Sequence, residues 1–310
     1  MLSISVVIVS YNSERFLKEN IESLLAQTDQ FSRIIIVDNN SADKSCEIIS
    51  EFKTVSLIRL EKNSGYSAAL NRGIRECGSD LILAANSDIK LDKDFNKIIK
   101  EKFEKDKKIE IVSPLILRFD GKTIDSAGQF YSPSMYPVEK GFGSGLEKYE
   151  IGEDEIFSVC GAATVFRRDS LERLKVEGEY YDESFFMFWE DFDIGWRANL
   201  YGMRPGLVPS ARVFHFRGGT LKRSFFAKFS MALARPGEIK FHLVKNRYLT
   251  LIKNFRLRKD WHHIPMIILK DLLWVGMLTL SSPKIIIKLM GSTGLFKTAF
   301  RRRKIIKKNE

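Results

Sequence analysis

The first hundred residues alternate short runs of aliphatic and β-branched residues with amphipathic stretches. This order is typical of βα units built around a mainly parallel sheet, because each buried strand needs a helix to cover it and return the chain. The pattern therefore predicts an open, doubly wound α/β sheet. The predicted strands are ISVVIVS (4–10), RIIIVD (33–38), VSLIRL (55–60) and DLILAANSD (80–88).

Three predicted helices separate these strands. The first covers 12–27, with Ser13 as its N-cap and apolar residues at helical spacing. The second covers 41–52. The third follows the glycine-containing turn EKNSGYS and runs through Leu70, Asn71 and Ile74. Residues 121–158 have a weaker pattern and are expected to form loops or short strands.

Polar residues follow three of the predicted strands directly. In open α/β sheets, ligands bind beyond the carboxyl ends of the strands, so these residues should converge on one binding edge. They are Ser10, Tyr11 and Asn12 after the first strand, Asp38, Asn39 and Asn40 after the second, and Asn86 and Asp88 after the fourth.

Charge is distributed unevenly along the 310 residues. Residues 221–310 hold 21 Lys or Arg against four acidic residues, a net charge of +17, which leaves −6 for residues 1–220. A basic tail suggests a separate electrostatic task, with anionic lipid or nucleic acid as the candidate surfaces. No nucleic-acid motif accompanies the charge, so nucleic acid is not expected as a partner.

The remaining bulk features indicate a cytoplasmic protein. No n-region, apolar h-region and cleavage site open the sequence. The three cysteines, Cys46, Cys77 and Cys160, are widely spaced, so they are expected to be reduced packing residues without a disulfide framework or zinc site.

The ordered motifs carry a family resemblance. They are VVIVSYN, IIIVDNNSADKS, NSGYSAALNRGI, LAANSD, VCGAATVFRR, WEDFDIGWR and HFRGGT, within roughly residues 3–220. The chain resembles the family 2 glycosyltransferases of the GT-A fold, and most closely their rhamnosyltransferase-like branch. The resemblance implies a GT-A, Rossmann-like mixed sheet as a catalytic domain over 1–220, followed by a basic, amphipathic helical segment over 221–310.

The resemblance implies a nucleotide-binding role for residues at the strand ends. Asp38 would accept a hydrogen bond from the imide N–H of uracil or thymine. The alternative is helix capping, which Ser41 or Asn40 could also supply. The implied nucleotide-binding set is Ser10, Tyr11, Asn12, Asp38, Asn40, Asn63, Gly65, Asn71, Asn86 and Ser87. For the Asn63–Gly65 turn, an ordinary turn is the alternative, with Gly65 permitting close backbone approach.

A divalent cation, Mg²⁺ or Mn²⁺, is the implied cofactor. Mg²⁺ is usually held by one or two carboxylates while substrate phosphates complete its shell. This chain has Asn86-Ser87-Asp88 where family members often carry Asp-x-Asp, so Asp88 is the expected acidic ligand. His215 resembles the family histidine that meets the metal or the diphosphate, although a lone histidine can equally be a packing residue.

The WEDFDIGWR segment carries the expected catalytic base. Its carboxylates lie at the front of a predicted helix, where acidity also complements the helix dipole. By resemblance, Asp191 is the base, and Glu190 is the alternative. Asp193 and Arg197 would brace the helix or meet the diphosphate. The expected substrate-binding residues are Gly161, Trp189, Glu190 and Arg197.

The implied reaction is an inverting transfer of a sugar from a nucleotide diphosphate to a hydroxyl. The donor is expected to be dTDP-rhamnose and the acceptor a lipid-linked molecule or a polysaccharide. A UDP-sugar donor (glucosyl, galactosyl or N-acetylhexosaminyl transfer), nucleotidyl transfer and a non-catalytic nucleotide-sugar-binding membrane protein are the alternatives. No GxGTRL-like opening supports nucleotidyl transfer.

The tail is expected to associate with a membrane. Residues 264–290 are apolar but interrupted by charges, with a longest uncharged run of 12 residues at 272–283. Because a spanning helix needs about 20 predominantly apolar residues, an interfacial helix fits better. Trp274 and the polybasic RRRKIIKK would suit an anionic surface on the inner face of the cell membrane. The alternative is a helical subdomain that packs on the sheet or forms a homodimer.

Overall fold

The structure, a computed structural model, describes residues 2–152, 155–216 and 235–310. The strands are β1 Ile4–Ser10, β2 Arg33–Asp38, β3 Val55–Arg59, β4 Leu81–Asn86, β5 Ile89–Leu91, β6 Ile111–Arg118, β7 Ile124–Ser126, β8 Gln129–Tyr131, β9 Pro137–Glu139, β10 Ala163–Arg167 and β11 Gly206–His215. The helices are α1 Glu14–Leu25, α2 Ser45–Ser50, α3 Tyr66–Ile74, α4 Phe95–Lys105, α5 Arg168–Arg173, α6 Glu190–Leu200, α7 Gly237–Asn254, α8 Leu257–Asp260, α9 Ile264–Ser281, α10 Pro283–Gly291 and α11 Thr293–Asn309.

The main sheet has the strand order β3-β2-β1-β4-β10-β6-β11-β5, with β7 paired to β6. The first four strands in this order are parallel, whereas β10 runs antiparallel to both β4 and β6. Strand order reverses at β1, which lies between β2 and β4. The predicted doubly wound mixed α/β sheet is therefore confirmed, and the carboxyl ends of β1, β2 and β4 share one edge.

Both faces of the sheet are covered. In β1, Ile4, Val6 and Ile8 pack against α1 and α4 on one face, while Val7 and Val9 pack against α3 on the other. This alternation follows from the two-residue period of a strand. Because helices cover both faces, β1 is a continuous apolar run and carries its polar residues only at and beyond its end.

Local boundaries follow the sequence closely, with two differences. β1 and β2 have the predicted limits, but α2 is shorter than predicted because the Asp43 carboxylate accepts bonds from the Ser45 amide and hydroxyl and holds the preceding residues in a turn. Ser13 is the N-cap residue of α1, as predicted, but its side chain does not cap the helix; its hydroxyl bonds that of Ser87 at 2.8 Å. The cysteines are free, as expected, and two of them are buried.

The segment over 121–158, where described, forms the short strands β7, β8 and β9 and their connecting turns. Strands β8 and β9 pair antiparallel, and Gln129 of β8 pairs with Glu139 of β9. The predicted domain division at 220/221 lies outside the described residues, as do residues 217–220 of the HFRGGT motif.

The described part of the C-terminal segment packs on the α/β body formed by the sheet and its helices. α7 contacts α6, and α11 packs against α7. Arg302 of α11 is buried and forms ion pairs with Glu177, Glu179 and Asp182. Arg301 also pairs with Glu177. Two of the arginines expected to face a membrane therefore bind acidic groups of the protein itself. These contacts favour the alternative, in which the tail forms a helical subdomain that packs on the sheet.

One element of this segment remains largely uncovered. The helical run Leu257–Ser281 is long and apolar enough to cross a membrane by length and composition, and 6% of its apolar window is buried. Leu272 and Leu273 are 66% and 67% exposed. The surface of α9 therefore combines an apolar character with access to solvent, which an ordinary packed helix avoids.

Candidate active site

A cavity of about 680 Å³ opens at the carboxyl edge of β1 and β4, between the sheet and the start of α6. Twelve of the residues that were assigned a binding or catalytic role from the sequence line its wall. They are Tyr11, Asn12, Asn63, Gly65, Asn86, Ser87, Asp88, Gly161, Trp189, Glu190, Asp191 and His215. The fold thus brings residues from six separate stretches of sequence to one place.

Ser10 and Asp38 lie at the same edge but beneath the cavity wall. They face each other across the β1–β2 pair, and both are fully buried. Asp38 Oδ2 accepts a bond from the Ser41 amide at 3.0 Å, which holds the turn after β2; it does not cap a helix, because α2 begins only at Ser45. Asp38 Oδ1 and Ser10 Oγ find no hydrogen-bond partner among the described residues. Two buried polar oxygens are thus left unsatisfied side by side.

Three further predictions, those for Asn40, Asn71 and Arg197, differ from the observed geometry. Asn40 is exposed and does not line the cavity; its φ of 65° marks a tight turn. Asn71 is buried and bonds the backbone of Tyr181 and the carboxylate of Glu183. It therefore acts on the 181–183 segment, with no surface on the cavity itself.

Arg197 is a correction to the predicted substrate-binding set. It is 2% exposed, pairs with Asp193 at 3.1 Å, and donates to the carbonyls of Leu174 and Tyr180. The helical period puts Arg197 on the same side of α6 as Asp193, and that side faces the protein interior. Asp193 and Arg197 therefore brace the helix, which is the other role that the sequence analysis allowed for them.

Asp191 is held at the front of α6 by several hydrogen bonds. Its Oδ2 accepts from the Gly161 amide at 2.9 Å and from Gln129 Nε2 at 2.8 Å, and its Oδ1 accepts from the Phe192 amide at 2.8 Å. Gly161 is close-packed here, since a Cβ on it would lie 3.2 Å from the Asp191 side chain. The carboxylate is therefore fixed in orientation before any substrate arrives.

Gln129 was missed in the sequence. Its amide also donates to Glu139 Oε1 at 2.9 Å, so it links the carboxylates of Glu139 and Asp191. It lies 62 residues before Asp191, in the segment whose pattern is weak. No local period marks such a residue, and only the pairing of β8 with β9 brings it to the site.

Glu190 and Asp191 form a pair of neighbouring carboxyl groups on the cavity wall. Burial and the adjacent Asp191 carboxylate raise the pKa of Glu190 to about 8. Burial also raises the pKa of Asp191, against the bonds from Gly161, Phe192 and Gln129. Because two close carboxylates resist ionising together, the pair takes up protons at higher pH than free carboxyl groups do.

Replacing Glu190 with Gln should stabilise the protein in a pH-dependent way. The folded protein retains a proton on Glu190 that the unfolded chain releases above its ordinary pKa of 4.5, so stability declines as pH rises from 4.5 towards 8. The Gln side chain does not titrate. Urea unfolding should therefore show no gain for E190Q near pH 4.5 and about 1–2 kcal/mol at pH 8.5, a modest value because water reaches the cavity.

An exposed carboxyl group provides the control. Glu22→Gln on the outer face of α1 should leave the difference in unfolding free energy independent of pH. Equal stability of E190Q and the wild type at both pH values would contradict the raised pKa.

Asp88, His215 and Asp125 form a row at the other side of the cavity. His215 Nε2 lies 3.3 Å from Asp88 Oδ1, and its Nδ1 lies 2.8 Å from Asp125 Oδ2. Burial opposes the charged imidazole, but the two carboxylates outweigh it and raise the pKa of His215 to about 9. Asp125 was not foreseen from the sequence, because it lies 90 residues from His215 in the weakly patterned segment.

This donor set fits a divalent cation in part. A metal-binding histidine commonly bonds a carboxylate through its other ring nitrogen, as His215 bonds Asp125. Among the described residues no group of three or more His, Cys, Asp or Glu side chains could hold a metal ion. The cavity therefore offers Asp88 and His215 as protein donors, and substrate phosphates would have to complete the shell.

Aromatic and apolar side chains form the wall beyond Asp191. They come from the connection between β8 and β9, from the residues that precede α6, and from α7. They include Tyr136, Phe186, Phe188, Trp189 and Leu243. Tyr136 and Trp189 stack edge to face at 5.0 Å. Such a wall suits the apolar face of a sugar ring or an attached hydrocarbon group.

The comparison with known protein families assigns the class. Residues 5–175 match the family model described as Glycosyl transferase family 2, which is more than half of the chain. The chain therefore belongs to glycosyl transferase family 2.

The curated proteins that this chain is similar to share only a low sequence identity with it. An N-acetylglucosaminyl-diphospho-decaprenol L-rhamnosyltransferase from Mycobacterium tuberculosis is 26% identical over 241 residues, which cover 70% of this chain and 77% of that protein. A poly-beta-1,6-N-acetyl-D-glucosamine synthase from Staphylococcus aureus is 23% identical over 213 residues, 67% of this chain and 48% of that protein. The chain thus spans about half the length of the synthase.

Solved structures confirm the fold. The chain is similar to GalNAc-T7 crystallised with UDP, GalNAc and Mn²⁺, with a TM-score of 0.59, 19% identity, and coverage of 70% of this chain and 44% of that one. It is also similar to S. aureus TarS 1–349 in complex with UDP, with a TM-score of 0.55, 14% identity, and coverage of 99% and 90%. These similarities show the GT-A architecture.

Proposed function

We propose that this protein is an inverting glycosyltransferase that uses a nucleotide-activated sugar and employs Asp191 as its general base. The observation that carries the proposal is one cavity lined by two separate devices. A carboxylate held by hydrogen bonds lies at the start of α6, and the Asp88–His215 pair lies at the sheet edge. These are the parts that deprotonation of a hydroxyl and departure of a diphosphate require.

The nucleotide binds at the ends of β1 and β2 in this proposal. Tyr11, Asn12, Asn63 and Gly65 supply the exposed surface there. The unsatisfied buried Asp38 Oδ1 supports the base-recognition role inferred from the resemblance, because an imide N–H would satisfy it after a small movement of the wall. The two similar structures contain UDP, which supports a nucleotide as the ligand.

Asp88 and His215 would hold a divalent cation together with the donor diphosphate. Such a cation neutralises the charge that develops on a phosphoryl leaving group. Asp125 keeps the His215 ring oriented through its bond to Nδ1. The Mn²⁺ in the GalNAc-T7 structure supports a divalent metal.

The chemical step follows from the position of Asp191. Its carboxylate takes the proton from the acceptor hydroxyl as that oxygen bonds the anomeric carbon of the sugar. The bond between this carbon and the diphosphate oxygen breaks, and its electron pair leaves with the diphosphate. Attack from the face opposite the leaving group inverts the configuration. Base catalysis of this kind contributes about 10²–10⁴-fold.

Rhamnose from dTDP-rhamnose is the proposed sugar and donor, supported by the rhamnosyltransferase relative. A UDP-sugar is the alternative that the UDP-bound structures favour. A thermal-shift screen of dTDP-rhamnose, UDP-glucose, UDP-galactose and UDP-N-acetylglucosamine with Mg²⁺ or Mn²⁺ separates them, since a ligand at 100 times its Kd stabilises the fold by about 2.7 kcal/mol.

Product analysis with the stabilising donor then tests transfer. Appearance of an inverted glycoside on a lipid-linked or polysaccharide acceptor supports the proposal. Donor binding without transfer or hydrolysis on any acceptor would instead support a non-catalytic nucleotide-sugar-binding protein, and binding of none of the donors would contradict both.

We also propose that the protein binds the cytoplasmic face of a membrane through α9. Leu272→Glu with Leu273→Glu should weaken binding to anionic phospholipid vesicles at least tenfold, because burying a leucine in an apolar phase contributes about 1.5–3 kcal/mol. Vesicle sedimentation measures this. Lys97→Gln with Lys105→Gln on exposed α4 changes the net charge equally and should weaken binding less than threefold.

Two outcomes would contradict the membrane proposal. One is unchanged vesicle binding by the leucine variant. The other is a wild-type homodimer in light scattering that the same two substitutions convert to a monomer, since α9 would then be a dimer interface.

A further inference from the structure

The segment that leads into the catalytic helix has an unusual backbone. Phe186, Phe188 and Trp189 have φ angles of 66°, 66° and 75°, and none of them is glycine. Side chains with a Cβ disfavour this left-handed region, because the Cβ comes too close to the backbone carbonyl oxygen. Such a backbone persists only where its surroundings hold it, and here it ends directly at Glu190 and Asp191.

One side chain of the C-terminal segment holds this strained turn. Asn246 of α7 is fully buried, and its Nδ2 lies 3.0, 2.6 and 2.8 Å from the carbonyl oxygens of Phe185, Met187 and Phe188. Three acceptors around one nitrogen require a donor at this position. Its Oδ1 has no partner among the described residues, so the hydrogen bonds of this side chain are all directed to the turn.

The opposite side of the turn contacts the proposed donor site. The Tyr66 amide donates to the Phe186 carbonyl at 2.6 Å. Gly65 packs so closely that a Cβ on it would lie 2.7 Å from Phe186 Cα. The turn is therefore fixed between the Gly65–Tyr66 backbone and Asn246, and the next two residues along the chain are the paired carboxyl groups.

We infer that Asn246 is a positioning residue for sugar transfer. By holding the carbonyls of Phe185, Met187 and Phe188, it maintains the left-handed turn that sets the start of α6, and thereby the place of the Asp191 carboxylate relative to the anomeric carbon. The inference rests on the proposed role of Asp191. It assigns part of the catalytic geometry to the C-terminal segment, beyond residues 5–175 that match the family model.

The decisive variant is Asn246→Leu, which keeps the branched shape of the side chain but donates no hydrogen bond. Leucine is preferable to aspartate because Lys245 Nζ, 3.3 Å from the Phe185 carbonyl, could neutralise a new carboxylate. We expect kcat to fall 10–100-fold, since a displacement of about 1 Å at a reacting group costs about 10²-fold. The nucleotide Kd should change less than threefold, because Asn246 does not line the cavity.

Thr250→Val is the matched control. Thr250 is fully buried on the same helix, and its hydroxyl bonds nothing among the described residues. It should retain kcat within twofold. Asn246→Ala is the second variant if N246L does not fold, because the smaller side chain leaves room for water to bond the carbonyls. A packing role predicts that N246L is the more active of the two, and that order would overturn the inference.

A signal from Trp189 separates this inference from the proposed function. With 5-fluorotryptophan in place of the four tryptophans, Trp189→Phe identifies its ¹⁹F resonance. This resonance should shift or broaden in N246L or N246A and stay unchanged in T250V. An unmoved resonance in both Asn246 variants would overturn the inference. If the wild type transfers no sugar, the proposed function and the catalytic role of Asn246 fail together, while a moved resonance would still show that Asn246 holds the turn.

Discussion

Asp191→Asn should lower kcat by about 10²–10⁴-fold while leaving the nucleotide Kd within about threefold. Asparagine has almost the shape of aspartate, so the wall around Gly161 and Gln129 is retained, but the amide cannot accept the proton of an acceptor hydroxyl. The variant therefore stabilises the transition state less, while its binding of the nucleotide is almost unchanged. Initial rates at saturating donor and acceptor, with nucleotide binding measured by calorimetry, separate the two quantities.

Glu190→Gln is the matched comparison, because Glu190 is the adjacent carboxyl group and the alternative base. Its pKa of about 8 keeps much of it protonated near neutral pH, and a protonated carboxyl group cannot act as a base. We expect E190Q to lose less than tenfold in kcat. A larger loss in E190Q than in D191N would transfer the base assignment to Glu190, and full turnover by D191N would remove Asp191 from the mechanism.

Lys253→Met should destabilise the fold by about 3 kcal/mol at neutral pH, the lower end of the range for a broken buried ion pair, because Asp182 and Asp193 each lose one of two cations and keep Arg302 and Arg197. Lys253 Nζ lies 2.5 Å from Asp182 and 2.9 Å from Asp193, and all three side chains are almost completely buried. This cluster joins α7 to the catalytic helix. Lys288→Met is the control, since Lys288 and Glu238 form an exposed pair that should contribute less than about 1 kcal/mol.

The effect of Lys253→Met should also depend on pH. Burial alone would raise the pKa of Asp182, but Lys253 and Arg302 outweigh it and hold this pKa well below its ordinary value of 3.8. The stabilisation is therefore present above pH 3.8 and declines as acid protonates the folded carboxylate. Urea unfolding of K253M and the wild type at pH 7 and pH 3 measures it. A loss below 1 kcal/mol at pH 7 would mean that the cluster carries no net stability.

D191N and K253M act on neighbouring parts of α6 by different routes. Asp191 faces the cavity, whereas Asp193, two residues on, faces the interior and binds Lys253 and Asn254. D191N should therefore unfold like the wild type, and K253M should lose its stability first. Measuring both properties in both variants distinguishes the chemical group from its support.

The sequence alone determined the sheet and most of the site edge. Strand limits such as Ile4–Ser10 follow from a short continuous apolar run and from the polar residues that end it. Since parallel strands end at a common edge, the polar residues after β1 and β4 converge without further information. Tyr11, Asn12 and Asp88 reached the cavity for this reason. The role of Asp191 came from motif order, because its neighbourhood of carboxylates would suit any helix start.

Only the tertiary structure decided which polar groups face the cavity and which support it. Arg197 and Asp191 lie on one short helix, and the sequence does not say which side of that helix another element will cover. Gln129, Asp125 and Asn246 act on partners between 58 and 90 residues away, so no local period marks them. Arg302 looks like a surface charge until the acidic groups of the body enclose it. Long-range packing sets the burial of each polar group. Its burial then decides whether the group is a solvated charge, an internal partner that supports the fold, or a side chain that can react with a ligand.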